Sequence, residues 1–427
     1  MRLTLPYGNG ILSAVMDWGR PLGVLDISDV PEIAGRDTAI RNAIERPIGL
    51  GSSIYQIVRS GERVAILVSD MFRQTCAHQI LLLLLEGLNR SGVPDDQIII
   101  VFATGTHRPP TAAEQSRIVG EGVYAQFHGR IFVHEPANDE NLVYVGTTSR
   151  GTPVRVNRRV QECDRIIATG AVVLHYFAGY GGGRKSIVPG IAAVDTIAHN
   201  HALNLDPHAD RVNPSVRIGA LDGNPVAEDM LEATRFVKVD YVVNTVLNKR
   251  GEIAGIFAGE VEAAHRAAAR FAYRLYAVGI RKQADLVIAS SGGTRNFVQS
   301  HKALFNAYQA VKPDGRIILL TKSEEGLGGE QFAKWVRLGN REAIFAGLRK
   351  QSEINGQTAL STVQKGPITI LVTELVEGDV ALLQARKATS LADALTLART
   401  ELARAGKPEP TYYVMPSAAY TVPFLTP

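Results

Sequence analysis

Short runs of aliphatic and β-branched residues alternate with longer segments of helical spacing over the first 260 residues. The runs predict buried strands at Arg63–Val68, Gln97–Ala103 and Arg165–Thr169, and a hairpin formed by Tyr241–Leu247 and Ile253–Phe257. The segment Cys76–Leu88, between the first two strands, predicts a helix. Strands separated by helices favour crossover connections and parallel pairing. The pattern therefore predicts an α/β fold with largely parallel sheets.

The alternation restarts after an Ala- and Arg-rich helical segment, Glu260–Ala277. Three more strands and two helices are predicted there: Asp285–Ala289, Gly315–Leu320 and Ile368–Thr373 as strands, with helices from about Gln299 and over Ser390–Ala405. We therefore expect two α/β domains, residues 1–270 and 271–410, with the active site in the cleft between them. The strand-like tail, residues 411–427, is expected to return to the N-terminal domain.

Composition narrows the function classes. The 427 residues include 46 basic and 42 acidic side chains, a formal net charge of +4, without a run of five Lys or Arg, so we expect no nucleic-acid partner. Two cysteines, Cys76 and Cys163, are too few for a disulfide scaffold or a cysteine zinc site. The N-terminus lacks a signal-peptide core, and the longest apolar run is too short to cross a bilayer. These features predict a cytoplasmic protein with no membrane partner.

Polar and glycine-rich sequences follow four of the predicted strands. They are Ser69–Arg73, Thr104–Arg108, the stretch from His175 to Lys185, and Ser290–Gly293. In open parallel sheets, ligands bind outside the carboxyl ends of the strands. The four segments therefore predict an active site.

Two pairs of residues in these segments suggest specific chemistry. Arg73 offers a planar fork for a carboxylate or phosphate, with Asp70 to orient it or to bind a hydroxyl. Alternatively, Asp70 caps the next helix and Arg73 faces solvent.

His107 and His175 follow different strands, and two imidazoles there form a plausible pair of bases.

The loop GYGGGRKS resembles a phosphate-binding P-loop. Gly179, Lys185 and Ser186 fit the pattern G-x-x-x-x-G-K-[ST], but Arg184 occupies the position of the second required glycine. A phosphate-binding NTPase or kinase therefore stays an alternative. Three glycines indicate that a ligand approaches the main chain closely beside the lysine: Gly181, Gly182 and Gly183.

Two further segments carry candidate ligands. His199 and His201 lie two apart on a predicted helix, so at most one of them can face a given site. A single histidine could complete a metal that has other ligands. Gln299 and Lys302 are three apart at the start of a helix and share one face, which is either solvated or directed into the cleft.

Together these motifs resemble the nickel-pincer lactate racemase family. The resemblance rests on the stretch from His175 to Gly190, on His201 sixteen positions after Lys185, on Asp70 with Arg73, and on Gly105–Arg108. Order and spacing agree over about residues 60 to 305.

The resemblance implies a nickel-pincer nucleotide, a pyridinium-3-thioamide-5-thiocarboxylic acid mononucleotide carrying nickel, joined covalently to Lys185. His201 would complete the nickel coordination, and a small 2-hydroxy acid would be racemised by proton-coupled hydride transfer. The resemblance also implies that His107 and His175 are the catalytic bases. The cofactor contacts would be Asp70, Arg73, Gly181, Gly182 and Gly183. The substrate contacts would be Arg73, Gln299 and Lys302. Cofactor-synthesis enzymes would be transient partners.

The loop after Gly292-Gly293 departs from the family pattern. It is several residues shorter, Val298 stands where tyrosine is typical, and Arg295 adds a cation that meets a second carboxylate or solvent. This predicts a substrate other than lactate as the best one. The alternatives from other classes are the NTPase or kinase and a ligand-binding protein without catalysis.

Overall fold

The computed structural model describes residues 1–426. Its strands, in chain order, are β1 Arg2–Tyr7, β2 Gly10–Val15, β3 Arg20–Val24, β4 Val64–Val68, β5 Ile98–Phe102, β6 Ile131–Val133, β7 Leu142–Thr147, β8 Pro153–Asn157, β9 Arg165–Ala171, β10 Leu174–His175, β11 Gly179–Tyr180, β12 Tyr241–Leu247, β13 Ile253–Gly259, β14 Ala277–Ile280, β15 Ala284–Ser290, β16 Val311–Leu320, β17 Thr369–Val372, β18 Arg386–Ala388, β19 Thr411–Met415 and β20 Val422–Leu425.

The helices alternate with these strands. They are α1 Arg36–Glu45, α2 Ile54–Ile57, α3 Ala77–Arg90, α4 Ala112–Val119, α5 Glu121–Gln126, α6 Arg158–Gln161, α7 Val194–Ala202, α8 Pro225–Val237, α9 Val261–Tyr276, α10 Phe297–Ala310, α11 Glu330–Val336, α12 Arg341–Lys350, α13 Ile354–Lys365, α14 Glu377–Leu382 and α15 Leu391–Arg404. Within residues 1–426, no helix combines the length and the apolar character needed to span a membrane.

Residues 29–275 form one compact unit around a six-stranded sheet of order β13-β12-β9-β4-β5-β6. All pairs are parallel except β12 with β13. The central strand β4 is buried along its whole length, as expected for a strand covered on both faces. Ile80, Leu84 and Leu88 of α3 pack into its core at helical spacing. The parallel strands β9, β4 and β5 end at one edge, where the polar segments follow.

The other unit combines residues 1–28 with the chain from 276 onward. Its six-stranded sheet has the order β18-β17-β16-β15-β19-β3 and is parallel throughout. The N-terminal hairpin β1–β2 and helix α15 contribute to the core of this sheet. β15 is followed directly by Ser291 and Gly292, so these residues lie at the carboxyl edge of the second sheet.

The predicted α/β fold with largely parallel sheets is confirmed, and each predicted strand has a counterpart within a few residues. The domain limits differ from the predicted ones in two places. Residues 1–28 belong to the unit that contains the C-terminal half of the chain, and the division falls at 275 rather than 270. The tail forms β19, which pairs with β15 and β3, and β20, which pairs with β14. The tail thus returns to the N-terminal residues of the chain, which belong to the same unit as the C-terminal half.

Candidate functional site

A phenylalanine connects three of the predicted site residues. The ring of Phe177 lies 4.5 Å from the His175 ring and 4.8 Å from the His201 ring, measured between centroids, and 5.2 Å from Lys185 Nζ. His175 ends β10, Lys185 lies in the 3₁₀ turn Gly183–Ser186, and His201 lies on α7. We call these four residues the Phe177 cluster. The fold thus brings the predicted base, tethering lysine and metal ligand together.

Two backbone N–H groups and the Lys185 amine contact the ring nitrogens of His175. Nδ1 accepts from the backbone N–H groups of Phe177 at 3.4 Å and Ala178 at 3.3 Å. A neutral imidazole that accepts at Nδ1 carries its hydrogen on Nε2. Lys185 Nζ lies 2.9 Å from Nε2, and an amine accepts that hydrogen only in its uncharged form. This arrangement favours Lys185 as an uncharged nucleophile beside an imidazole.

His201 is 2% exposed. Burial, together with the Lys185 amine whenever it is protonated, lowers the pKa of His201 to about 3. The imidazole is therefore neutral near pH 7, which is the form that binds metals. Its neighbour Asn200 holds α7 in place by donating to the buried carboxylate of Asp229 at 2.9 Å.

Asp70 and His107 form a second pair, at the ends of β4 and β5. Asp70 is 2% exposed, and its Oδ2 lies 2.7 Å from His107 Nδ1, while its Oδ1 accepts from the backbone N–H of Phe72 at 3.0 Å. A carboxylate at this position accepts the Nδ1 hydrogen and leaves the His107 Nε2 lone pair available as a base. Asp70 does not cap the next helix, which has Cys76 at its N-cap.

Arg73 lies in the same segment as Asp70 but is exposed. Its guanidinium donates to the carbonyl of Phe72 at 2.9 Å, and its backbone N–H donates to the Asp70 carbonyl at 3.1 Å. The carboxylate of Asp70 binds His107 instead of orienting the Arg73 guanidinium. The Arg73 side chain is therefore accessible to an anion.

Of the three glycines before Lys185, Gly182 leaves the least room for a Cβ atom. Gly182 has φ +87°, and a Cβ there would lie 2.4 Å from Val172 Cγ2 and 3.0 Å from Asn244 Oδ1. Asn244 Oδ1 also accepts from the N–H of Gly183 at 2.8 Å, and His265 Nε2 lies 2.7 Å from the Gly181 carbonyl oxygen. Gly182 thus allows the loop to pack against β12.

The P-loop interpretation finds no support in the loop geometry. Arg184, at the position of the missing glycine, is buried and donates through Nη2 to the Ala178 carbonyl at 2.8 Å. Burial lowers the pKa of this guanidinium to about 10. Ser186 Oγ donates to the Thr169 carbonyl at 2.8 Å, so both side chains are directed to the protein rather than to a phosphate or a metal.

The remaining predicted contacts lie in the other unit, on α10. Gln299 and Lys302 are both half-buried, and Gln299 Oε1 accepts from the backbone N–H of Arg295 at 3.0 Å. Arg295 forms an ion pair with Glu325 at 2.6 Å, so its cation already has an anionic partner. Val298 borders Gly328, whose added Cβ would lie 3.0 Å from Val298 Cβ.

Sequence reasoning missed Phe177, Asn244 and His265. A signal existed for Asn244, which is the polar residue in the centre of the apolar strand YVVNTVL and is fully buried. His265 faces the core from an Ala- and Arg-rich helix, and burial lowers its pKa to about 3. His199, by contrast, is exposed and contacts the Asp195 carbonyl of its own helix. Among residues 1–426, no three His, Cys, Asp or Glu side chains are grouped as a metal site.

Comparison with known proteins gives a consistent result. Residues 7–212 match the model of the lactate racemase N-terminal domain, and residues 280–409 match that of the C-terminal domain. The chain is 31% identical over 340 residues to a lactate racemase from Thermoanaerobacterium thermosaccharolyticum, covering 78% of both chains, and 32% identical over 336 residues to one from Lactiplantibacillus plantarum, covering 77% of both. The solved lactate racemase apoprotein from Thermoanaerobacterium thermosaccharolyticum superimposes with a TM-score of 0.87 at 28% identity, covering 99% of this chain and 100% of the other.

Proposed function

Because this chain belongs to the lactate racemase family and is therefore an isomerase, we propose that it inverts C2 of a small 2-hydroxycarboxylate with a nickel-pincer nucleotide joined covalently to Lys185. The observation that carries the proposal is the Phe177 cluster. It places an amine and the two imidazoles of His175 and His201 around one aromatic ring. Cofactor-synthesis enzymes would be transient partners.

The residues of the cluster fit the proposed cofactor. A thioamide bond requires an uncharged amine as nucleophile, and the tautomer of His175 favours that form of Lys185. The neutral imidazole of His201 would complete the nickel coordination of a cofactor that brings carbon and sulfur ligands.

When bound, the cofactor supplies an acceptor for the C2 hydrogen as hydride, which turns C2 into a planar ketone carbon. The protein must then move the hydroxyl proton and hold the substrate. His107 Nε2, which carries the lone pair in the neutral tautomer that the Asp70 contact at Nδ1 favours, would take or return that proton on one face. His175 would serve the other face through Nε2, in the tautomer that carries its hydrogen on Nδ1, once thioamide formation has removed the Lys185 amine from Nε2. Each antipode presents its hydroxyl to a different side.

The substrate carboxylate would bind to cations. We assign Arg73 and Lys302 to it, with Gln299 as an additional polar contact, because a planar guanidinium recognises a carboxylate through two hydrogen bonds. Val298 in place of a tyrosine extends the proposal to 2-hydroxy acids larger than lactate.

The decisive experiment is a mass spectrum of native protein purified from cells that make the cofactor. We expect a cofactor adduct on Lys185, together with racemisation of a 2-hydroxy acid. Lys185→Ala and Lys185→Arg should both lose the adduct and the activity while staying folded, since arginine keeps a cation but cannot form the thioamide. A fully active Lys185→Ala protein would exclude the tethered cofactor.

A ligand-binding protein without catalysis would carry the adduct but would not interconvert the two antipodes of any 2-hydroxy acid. An NTPase would hydrolyse ATP without nickel. The buried contacts of Arg184 and Ser186 disfavour the NTPase.

A further inference from the structure

A hollow with three arginines lies in the unit formed by residues 29–275. Its volume is about 400 Å³, within the usual range of small-molecule sites. Among its lining residues are Tyr180, Asp222, Arg266, Arg270, Tyr273 and Arg274. We call it the arginine hollow.

The arginines share one face of α9 because they are spaced four residues apart. Arg266 is neutralised by Asp222 and Glu262, with distances of 2.5 and 2.8 Å. Arg270 and Arg274 are exposed, and neither forms an ion pair with a carboxylate in the described part of the chain, residues 1–426. The hollow therefore has two guanidinium groups available to an anion.

The hollow lies away from the catalytic face of the β10–β11 hairpin. Tyr180 pairs with Leu174, whereas His175 pairs with Gly179. Successive residues of a strand point to opposite faces, so Tyr180 borders the hollow from the face opposite to His175. A ligand in the hollow would be distinct from the cofactor on Lys185.

We propose that the arginine hollow binds a phosphate monoester of a small molecule, at a site separate from the racemase centre. A phosphate carries close to two negative charges and three acceptor oxygens at pH 7, which match two guanidinium forks. The hollow is also larger than a phosphate group needs, and two tyrosines line it. Tyr180 is buried, whereas the ring of Tyr273 is 43% exposed and offers a surface on which a planar base can stack.

The test is isothermal titration calorimetry of the full chain with inorganic phosphate and with adenosine monophosphate, at constant ionic strength. We expect saturable binding of both, with the nucleotide at least as tight as phosphate. The double variant Arg270→Ala/Arg274→Ala should bind at least about tenfold more weakly, since it removes two charge-assisted contacts.

The matched control is Arg117→Ala/Arg404→Ala, which removes two exposed helical arginines outside the hollow. It should change the affinity by less than about twofold, because nonspecific charge attraction is screened at moderate salt. Three results would each overturn the proposal: no saturable binding of either probe, exclusion of the nucleotide, or an equal loss in the control. If the first double variant is unfolded by circular dichroism, Arg270→Gln/Arg274→Gln replaces it.

Discussion

Replacing Gly182 by alanine tests whether the glycine loop serves the fold or the ligand. The residue has φ +87°, and the new Cβ would lie 2.4 Å from Val172 Cγ2 and 3.0 Å from Asn244 Oδ1. A backbone at φ +87° and ψ 178° is nearly exclusive to glycine and costs a residue with a Cβ about 1–3 kcal/mol, and overpacking of a well-filled core costs about 1–3 kcal/mol. We therefore expect Gly182→Ala to lower the free energy of unfolding by about 2–6 kcal/mol.

Gly181→Ala is the matched control, one residue away. It lacks a left-handed φ, and its Cβ would come no closer than 3.3 Å, to the Ala171 carbonyl oxygen. We expect a loss below about 1 kcal/mol, since this contact needs only a small adjustment. If the cofactor needs the space that the absence of a side chain leaves at Gly181, the Gly181→Ala protein stays stable but loses the adduct on Lys185.

The assay is urea-induced unfolding of the apoprotein followed by circular dichroism, with intact mass of the holoprotein measured in parallel. A fall of 1 kcal/mol lowers Tm by roughly 2–4 °C in a unit of this size, so the Gly182→Ala effect is well above measurement error. A Gly182→Ala protein as stable as the parent would refute the packing argument.

Three further predictions concern activity and pH. His107→Ala and His175→Ala should each slow racemisation in both directions by about 10²–10⁴-fold. Asp70→Asn should also slow racemisation, because it disturbs the His107 tautomer. Losses below tenfold in both histidine variants would mean that the two histidines have a structural role instead of a catalytic one. Lactate should not have the highest kcat/KM among lactate, 2-hydroxybutyrate, malate, phenyllactate and a sugar acid, measured from the rate at which one pure antipode of each is converted into the other. A first place for lactate contradicts the argument from Val298. Stability should fall as the pH drops below about 6.5, because burial lowers the pKa of His265 to about 3 and the unfolded chain takes up its proton first. His265 contributes about 2 kcal/mol to the loss by pH 5, and the buried His201 adds to the loss in the same direction. Urea unfolding of His265→Gln should show a shallower decline, and an identical slope in both proteins would exclude His265 as a cause.

The sheets were predictable because their strands carry a local signal. β4 and β5 are runs of aliphatic residues between polar turns, and they were found to within a residue or two. The positions of Asp70 and His107 at adjacent strand ends followed from parallel pairing alone. Their 2.7 Å contact did not, because it depends on side-chain rotamers that spacing does not encode.

Long-range pairing explains most of what sequence reasoning missed. β3, near the N-terminus, joins β19, near the C-terminus, and neither strand differs in its pattern from a strand with local partners. Phe177 is similar, since its role depends on α7 bringing His201 to its ring. An aromatic residue beside a histidine in the sequence gives no indication that a second histidine lies against it.

The division of the chain has a consequence for biosynthesis. The unit of residues 29–275 is continuous, so the ribosome delivers all of it before the rest of the other unit is made. The sheet of that other unit needs β19, which places Thr411–Met415 between β15 and β3. Because chains fold as they emerge, the continuous unit can form first, while β3 waits for Thr411–Met415, which is made after the whole of residues 29–275. Residues 1–28 therefore need protection from aggregation for as long as the continuous unit is being made.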